Sequence, residues 1–134
     1  MTDLVFFYGT LMSGFKRPGR TRVDLALSPI GHGSIQAILF DLGIYPAAIP
    51  AADGRVRGEL HRMLEPDSVL EALDEIEGYR PKHPDASLYV RREMAVTLDN
   101  GDVADAWVYL YNAPLGGAQR IESGDYLDHL KVKR

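Results

Sequence analysis

No cysteine occurs among the 134 residues, which excludes disulfides, cysteine nucleophiles and thiolate metal sites and accords with a reducing compartment. Basic residues are the scarcer charge. Fifteen Lys and Arg face nineteen Asp and Glu, a net charge of −4, so a general nucleic-acid-binding surface is not indicated. Aromatic residues make up 9%, with a single Trp. With that acidic balance Trp107, Tyr109 and Tyr111 read as core or pocket wall rather than as a base-stacking platform. No apolar run approaches the ~20 residues of a membrane span. No charged-then-apolar leader precedes the first strand pattern, so the expected location is cytoplasmic, with no membrane partner. His32, His61, His83 and His129 are scattered, never one helical turn apart, and read as surface or internally satisfied side chains. Ser13 and Ser123 lack a nucleophile-elbow setting. Gly9 and Gly14 have the spacing that opens a P-loop, but Phe15 stands where that loop requires Lys. Repeats, low-complexity tracts and linkers are also missing.

What is present is the patterning of one globular unit. Hydrophobic residues are 46% and charged residues 25%, the balance of a soluble protein. The length supports a single core, and one domain over residues 1–134 is expected. Val5-Phe6-Phe7 is branched and aromatic and reads as a buried strand. A loop with a basic tip follows through Arg20. Val23, Leu25 and Leu27 form a short apolar segment of undecided type, stopped at Pro29. Ile35 to Leu42 reads as a strand, and Pro46 and Pro50 keep the next stretch out of a central ladder. Asp53-Gly54 marks a hairpin turn before a strand from Val56 to Met63, with Val56, Gly58, Leu60 and Arg62 on one face.

The one convincing helix runs from Pro66 to Glu77. Pro66 suits its first turn, Ser68 and Glu71 have capping-box spacing, and Gly78 is a natural stop. After a polar, proline-bearing loop from Arg80 to Asp85, two long strands, Leu88–Leu98 and Val103–Tyr111, flank the hairpin signal Asp99-Asn100-Gly101-Asp102. The tail from Ile121 to Leu127 is expected to pack back on the body, with Asp125 anchoring it by hydrogen bonds and the last four residues loose. The order argues for an α+β domain whose mainly antiparallel sheet closes into a small barrel.

Two features carry chemistry. The first is the corner Tyr8-Gly9-Thr10-Leu11. Glycine there lets a group approach the main chain, so the N–H groups after Tyr8 either form a donor pocket for a carboxylate or oxyanion or simply end a strand. The second is Glu77. At about 100° per residue, Val69, Leu70, Leu73 and Ile76 form an apolar stripe. Glu71 and Glu75 point away from it, Asp74 sits at its border, and Glu77 falls inside it. Desolvation and the helix C-terminal dipole both favour a neutral carboxyl, which suits a general base near neutral pH. The alternative is a terminal residue that frays into water.

These residues also resemble a known family. Tyr8-Gly9-Thr10-Leu11, Tyr45-Pro46, Val56-Arg57-Gly58-Glu59-Leu60, Leu73-Asp74-Glu75-Ile76-Glu77-Gly78-Tyr79, Tyr89 with Arg91, and Ile121-Glu122-Ser123-Gly124-Asp125-Tyr126 follow one another as in the gamma-glutamylcyclotransferase-like family, AIG2-like proteins included. The resemblance covers nearly the whole chain. It implies a small mixed, mainly antiparallel β-barrel with one main helix and a pocket at its mouth. It assigns Tyr8, Gly9, Thr10 and Leu11 to substrate binding and Glu77 to acid–base catalysis. It implies a small γ-glutamyl substrate cyclised to 5-oxoproline, with no metal and no cofactor. The Arg80–Ser87 loop departs from other members, and it leaves the amine side of the substrate open. Two rival functions share these residues: an acyl-processing enzyme on another γ-glutamylated metabolite, and a non-catalytic binding module. A carboxylate placed in the apolar stripe argues against the module, which gains little from a buried base. The sequence carries no signal for an oligomeric state.

Overall fold

The computed structural model of the protein describes residues 2–9, 12, 21–43 and 45–133. The basic loop tip expected at 13–20 lies outside them. In chain order the elements are β1 (Leu4–Phe7), α1 (Thr21–Asp24), β2 (Leu27–Ile35), β3 (Ala37–Asp41), β4 (Pro46–Pro50), β5 (Val56–Met63), α2 (Pro66–Glu77), a 3-10 turn (Pro84–Ala86), β6 (Tyr89–Leu98), β7 (Val103–Tyr111), β8 (Gln119–Arg120) and α3 (Tyr126–Lys133). Five strands close into a barrel in the order β1-β5-β2-β6-β7. Its pairings are antiparallel except at the seam, where β1 runs parallel to β7 with Val5 opposite Trp107 and Phe6 opposite Val108. That seam makes the barrel mixed. A three-stranded sheet, β4-β3-β8, lies beside it.

The aromatic and branched first strand earns its central place. Val5, Phe6 and Phe7 are all buried, and Phe6 packs with Val56, Leu60, Val96 and Val108 in the core. Helix α2 adds Val69, Leu70 and Leu73 to the same core, each contributing about 1.5–3 kcal/mol of apolar transfer free energy. Strands β1 and β5 approach closely at Gly58, where a Cβ would collide with the Phe7 carbonyl oxygen. The Asp99–Asp102 hairpin joins β6 to β7 as its sequence predicts, with the Gly101 N–H donating to the Leu98 carbonyl at 2.9 Å. Among the described residues no helix is long and apolar enough to cross a membrane.

Several local expectations are corrected. Residues 23–27 divide into the end of α1 and the start of β2, and Pro29 does not stop the segment. A register shift between Pro29 and Gly31 opposite β5 accommodates the residue that cannot donate to the ladder. The single strand expected over 35–42 is split, because the chain bends at Gln36 and β3 leaves the barrel for the second sheet. Pro46 and Pro50 sit on edge strand β4, where a missing donor costs least. Asp53-Gly54 lies in a turn but not in a hairpin, since β4 and β5 belong to different sheets. Arg62 reaches solvent and pairs with Asp3 at 2.7 Å instead of sharing the burial of Leu60. The capping box does not form. Glu65 is the N-cap of α2, no side chain caps it, and the Ser68 hydroxyl donates to Glu65 Oε2 at 3.4 Å. Where the last four residues are expected to be loose, residues up to Lys133 belong to helix α3, and Arg134 lies outside the described residues. Asp125 Oδ1 accepts the Asp128 N–H at 3.2 Å, a bond within the first turn of that helix, and His129 Nε2 meets Asp41 Oδ2 of β3 at 2.7 Å.

Candidate active site

The end of α2 is built by Gly78. Its φ of 68° is left-handed, a conformation glycine adopts without the cost a Cβ imposes. The Gly78 N–H then donates to the Glu75 carbonyl at 3.4 Å, and the Tyr79 N–H to the Asp74 carbonyl at 2.9 Å. This closure makes Glu77 the last helical residue and holds the turn that carries it. Glu77 is half-buried, neither sunk in the core nor frayed into water. Its charge acts on two phenols that reach the same region from other elements, Tyr8 and Tyr109.

Tyr8 leaves β1 buried, its hydroxyl donating to the Tyr109 carbonyl at 2.6 Å and accepting the Ala48 N–H at 3.4 Å. Burial above all, then the neighbouring Tyr89 and Glu77, push the Tyr8 phenol well above its ordinary pKa. It therefore stays a neutral donor across the physiological range. Gly9 follows, buried, and its carbonyl accepts the Met12 N–H at 3.0 Å. A Cβ on Gly9 would stand 2.6 Å from Pro46 Cγ and 3.0 Å from its Cδ, so only glycine fits against that ring without a shift. Thr10 and Leu11 lie outside the described residues. The Tyr89 hydroxyl donates to the Pro46 carbonyl at 2.8 Å, closing the same wall from β6.

The fold thus brings Tyr8 and Gly9 from the end of β1 and Glu77 from the end of α2 into one neighbourhood. It also adds residues that sequence reasoning did not place in the site. Asp74, expected at the border of the apolar stripe, is buried. Its Oδ1 accepts the Tyr109 hydroxyl at 2.6 Å, and Arg91 holds it with two bonds, Nε to Oδ1 at 3.0 Å and Nη2 to Oδ2 at 3.2 Å. The Arg91 guanidinium lies over Trp107, 4.6 Å from the ring centroid, and 5.6 Å from that of Tyr79. Burial, then the bond to Asp74, raise the Tyr109 phenol far above its ordinary pKa. The register of the β6–β7 ladder, one residue off that of a two-residue Asn-Gly turn, sets these partners together. Thr97 opposite Val103 sets a register in which Arg91 faces Tyr109. His61 is buried rather than superficial. Its Nε2 meets Glu59 Oε1 at 3.1 Å, and its Nδ1 has no hydrogen-bond partner among the described residues.

Comparison with known proteins shows the family and the fold. Residues 5–128 match the family described as gamma-glutamyl cyclotransferase, AIG2-like. The chain is 32% identical over 128 residues to the gamma-glutamylcyclotransferase family protein YtfP of Escherichia coli K12, covering 95% of this chain and 98% of that one. The solution NMR structure of Escherichia coli YtfP superposes with a TM-score of 0.67 at 31% identity, over 94% of this chain and 97% of the other. The crystal structure of YkqA from Bacillus subtilis gives a TM-score of 0.73 at 23% identity. It is matched over 99% of this chain, which spans only 42% of that longer protein, and it speaks for the fold alone. On the matched span of residues 5–128 and the relatives at this identity, the chain belongs to the gamma-glutamyl cyclotransferase, AIG2-like family.

Proposed function

We propose that the protein is a gamma-glutamylcyclotransferase that converts the γ-glutamyl group of a small compound to 5-oxoproline and releases the attached amine. Glu77 serves as acid and base, and the corner Tyr8, Gly9, Thr10 and Leu11 binds the substrate. The observation that carries this reading is the meeting of two elements far apart in sequence. The glycine corner after β1 and the last turn of α2 meet through Tyr109, whose carbonyl accepts the Tyr8 hydroxyl at 2.6 Å and whose hydroxyl donates to Asp74 at 2.6 Å, three residues before Glu77.

The reaction needs little else from the protein, because the nucleophile belongs to the substrate. Binding folds the γ-glutamyl chain so that its α-nitrogen meets its own γ-carbonyl, which removes much of the entropic barrier. Glu77 takes a proton from the α-ammonium, and the freed amine attacks the γ-carbonyl carbon to form the ring C–N bond. Main-chain N–H groups of the corner stabilise the oxyanion. The oxyanion collapses and the bond to the outgoing nitrogen breaks. The Glu77 carboxyl returns its proton to that nitrogen. As a carboxylate again, it takes the surplus proton of the ring nitrogen to leave the lactam N–H and passes it to the released amine, which departs as its ammonium form. Its cyclic product and the free amine together account for every atom of the substrate.

The test is release of 5-oxoproline by the purified chain from a panel of γ-glutamyl amino acids, amines and peptides, each paired with its α-linked isomer. These groups all read the γ-glutamyl end, so turnover of γ-linked donors only is expected, with tolerance at the amine. Equal turnover of both linkages, or ligand binding with no 5-oxoproline from any donor, overturns the proposal.

The corner makes its own prediction. Gly9→Val forces the Pro46 ring to move. The overpacking is expected to cost about 1–3 kcal/mol of stability. A displacement of the corner near 1 Å is expected to cost roughly 10²-fold in rate. Denaturant midpoints and steady-state rates check this, and a folded, fully active Gly9→Val removes the corner from the binding element.

A further inference from the structure

We infer that Tyr109, with Asp74 and Arg91, is a positioning clamp that holds Glu77 against the glycine corner. The inference rests on the function proposed above.

Tyr109 is bonded at both ends, to the two halves of the site. Its main-chain carbonyl accepts the Tyr8 hydroxyl at 2.6 Å, fixing the residue that leads into Gly9. Its own hydroxyl donates to Asp74 Oδ1 at 2.6 Å, one helical turn before Glu77. One residue on β7 therefore sets the distance between the end of β1 and the end of α2. Asp74 is gripped a second time by the fork of Arg91, which sits directly opposite Tyr109 in the β6–β7 ladder. Arg91 in turn lies beside the ring of Tyr79, whose N–H closes the last turn of α2 on the Asp74 carbonyl. Glu77 is thus bracketed, with Asp74 three residues before it and Tyr79 two residues after it, both tied to the barrel wall.

The clamp acts through Glu77 and does not touch substrate, so its loss affects the rate of the chemical step more than binding. Tyr109→Phe is the least invasive probe, since it removes one hydroxyl and leaves the carbonyl that accepts from Tyr8. Arg91→Lys is the second probe, keeping the charge but losing the fork. Two measurements are made on each, kinetics on a γ-glutamyl donor and amide hydrogen exchange by NMR. The expected result for both variants is a fall in kcat on the order of 10–100-fold with KM changed by less than about twofold. Exchange of the Gly78 and Tyr79 amides is expected to quicken while that of Leu60, in the β1–β5 ladder, stays as in the parent.

Unchanged exchange at Gly78 and Tyr79 overturns the clamp whatever the rates are. So does quickened exchange with wild-type kcat, or a loss that appears wholly in KM. A parent protein that releases no 5-oxoproline defeats the proposed function instead. The exchange of those two amides still decides whether Tyr109 and Arg91 hold the end of α2.

Discussion

Glu77→Gln should lower 5-oxoproline release by about 10²–10⁴-fold, the usual contribution of a single general acid–base group. Glutamine keeps the shape and much of the hydrogen bonding of the side chain but cannot take the α-ammonium proton or return one to the outgoing amine. The acid limb of the rate profile that reports ionisation of the base should vanish with it. Stability should change little, because exchange of a half-buried carboxylate at a helix C-terminus for a neutral amide removes a charge that both burial and the helix dipole disfavour. Glu75→Gln is the control. Glu75 is exposed, two residues back on the solvent side of α2, and its variant should turn over like the parent. The measurement is 5-oxoproline release over a pH series for parent and variants, with thermal midpoints alongside. Parental turnover by Glu77→Gln would assign Glu77 a structural part and defeat the mechanism.

Asp74→Ala should produce the largest loss of stability among the ion-pair variants, about 3 kcal/mol. The side chains of Asp74 and Arg91 are only 12% and 16% exposed, so the guanidinium left behind is poorly reached by water and the Tyr109 hydroxyl loses its acceptor. Removing one partner from such a pair costs more than the pair itself contributes, since the remaining charge and donor stay desolvated. For a chain of this size that is a drop of roughly 10 °C in the thermal midpoint. The Arg57–Asp99 pair is the comparison. It is shorter, at 2.6 Å, yet its side chains are 39% and 55% exposed. The bond to Arg57 holds the Asp99 carboxyl below its ordinary pKa, but solvent screens the pair, and Asp99→Ala should scarcely move the midpoint. Calorimetry on the two variants decides whether burial or bond length governs. Equal shifts would place Asp74 among ordinary surface carboxylates.

Some of this architecture was legible before any coordinates. The aromatic run ending at Gly9, the helix from Pro66 closed by Gly78, and the hairpin at Asp99–Asp102 are local signals, and local energetics enforce them. Glycine at 78 takes a φ that other residues resist, and Gly101, at φ 95°, supplies the left-handed position of the turn between β6 and β7. The ordered motifs were enough to indicate the family. The failures also share a cause. Pro29, Gln36 and Asp53-Gly54 were read as if each local signal had its usual neighbour. The ladder partner decided otherwise, since β2 pairs with β5 through a register shift and β3 leaves for another sheet. Helix α3 was missed because its apolar face is thin, and what holds it are contacts with remote residues such as the His129–Asp41 pair.

The sequence by itself determined the first strand, helix α2 and the β6–β7 hairpin, and with them where the glycine corner and the last turn of α2 lie. Backbone conformation and hydrophobic period are properties of a few consecutive residues. Only the tertiary structure decided which polar groups share the site. A helical wheel placed Asp74 at a border and Glu77 in the stripe, but the wheel is blind to the partner surface. With Arg91 and Tyr109 facing it across the barrel wall, Asp74 can be buried with its charge matched, while Glu77, at the overhanging end of the helix, is only half covered. Burial of a charge depends on what waits on the opposing element, and that is settled when the strands close.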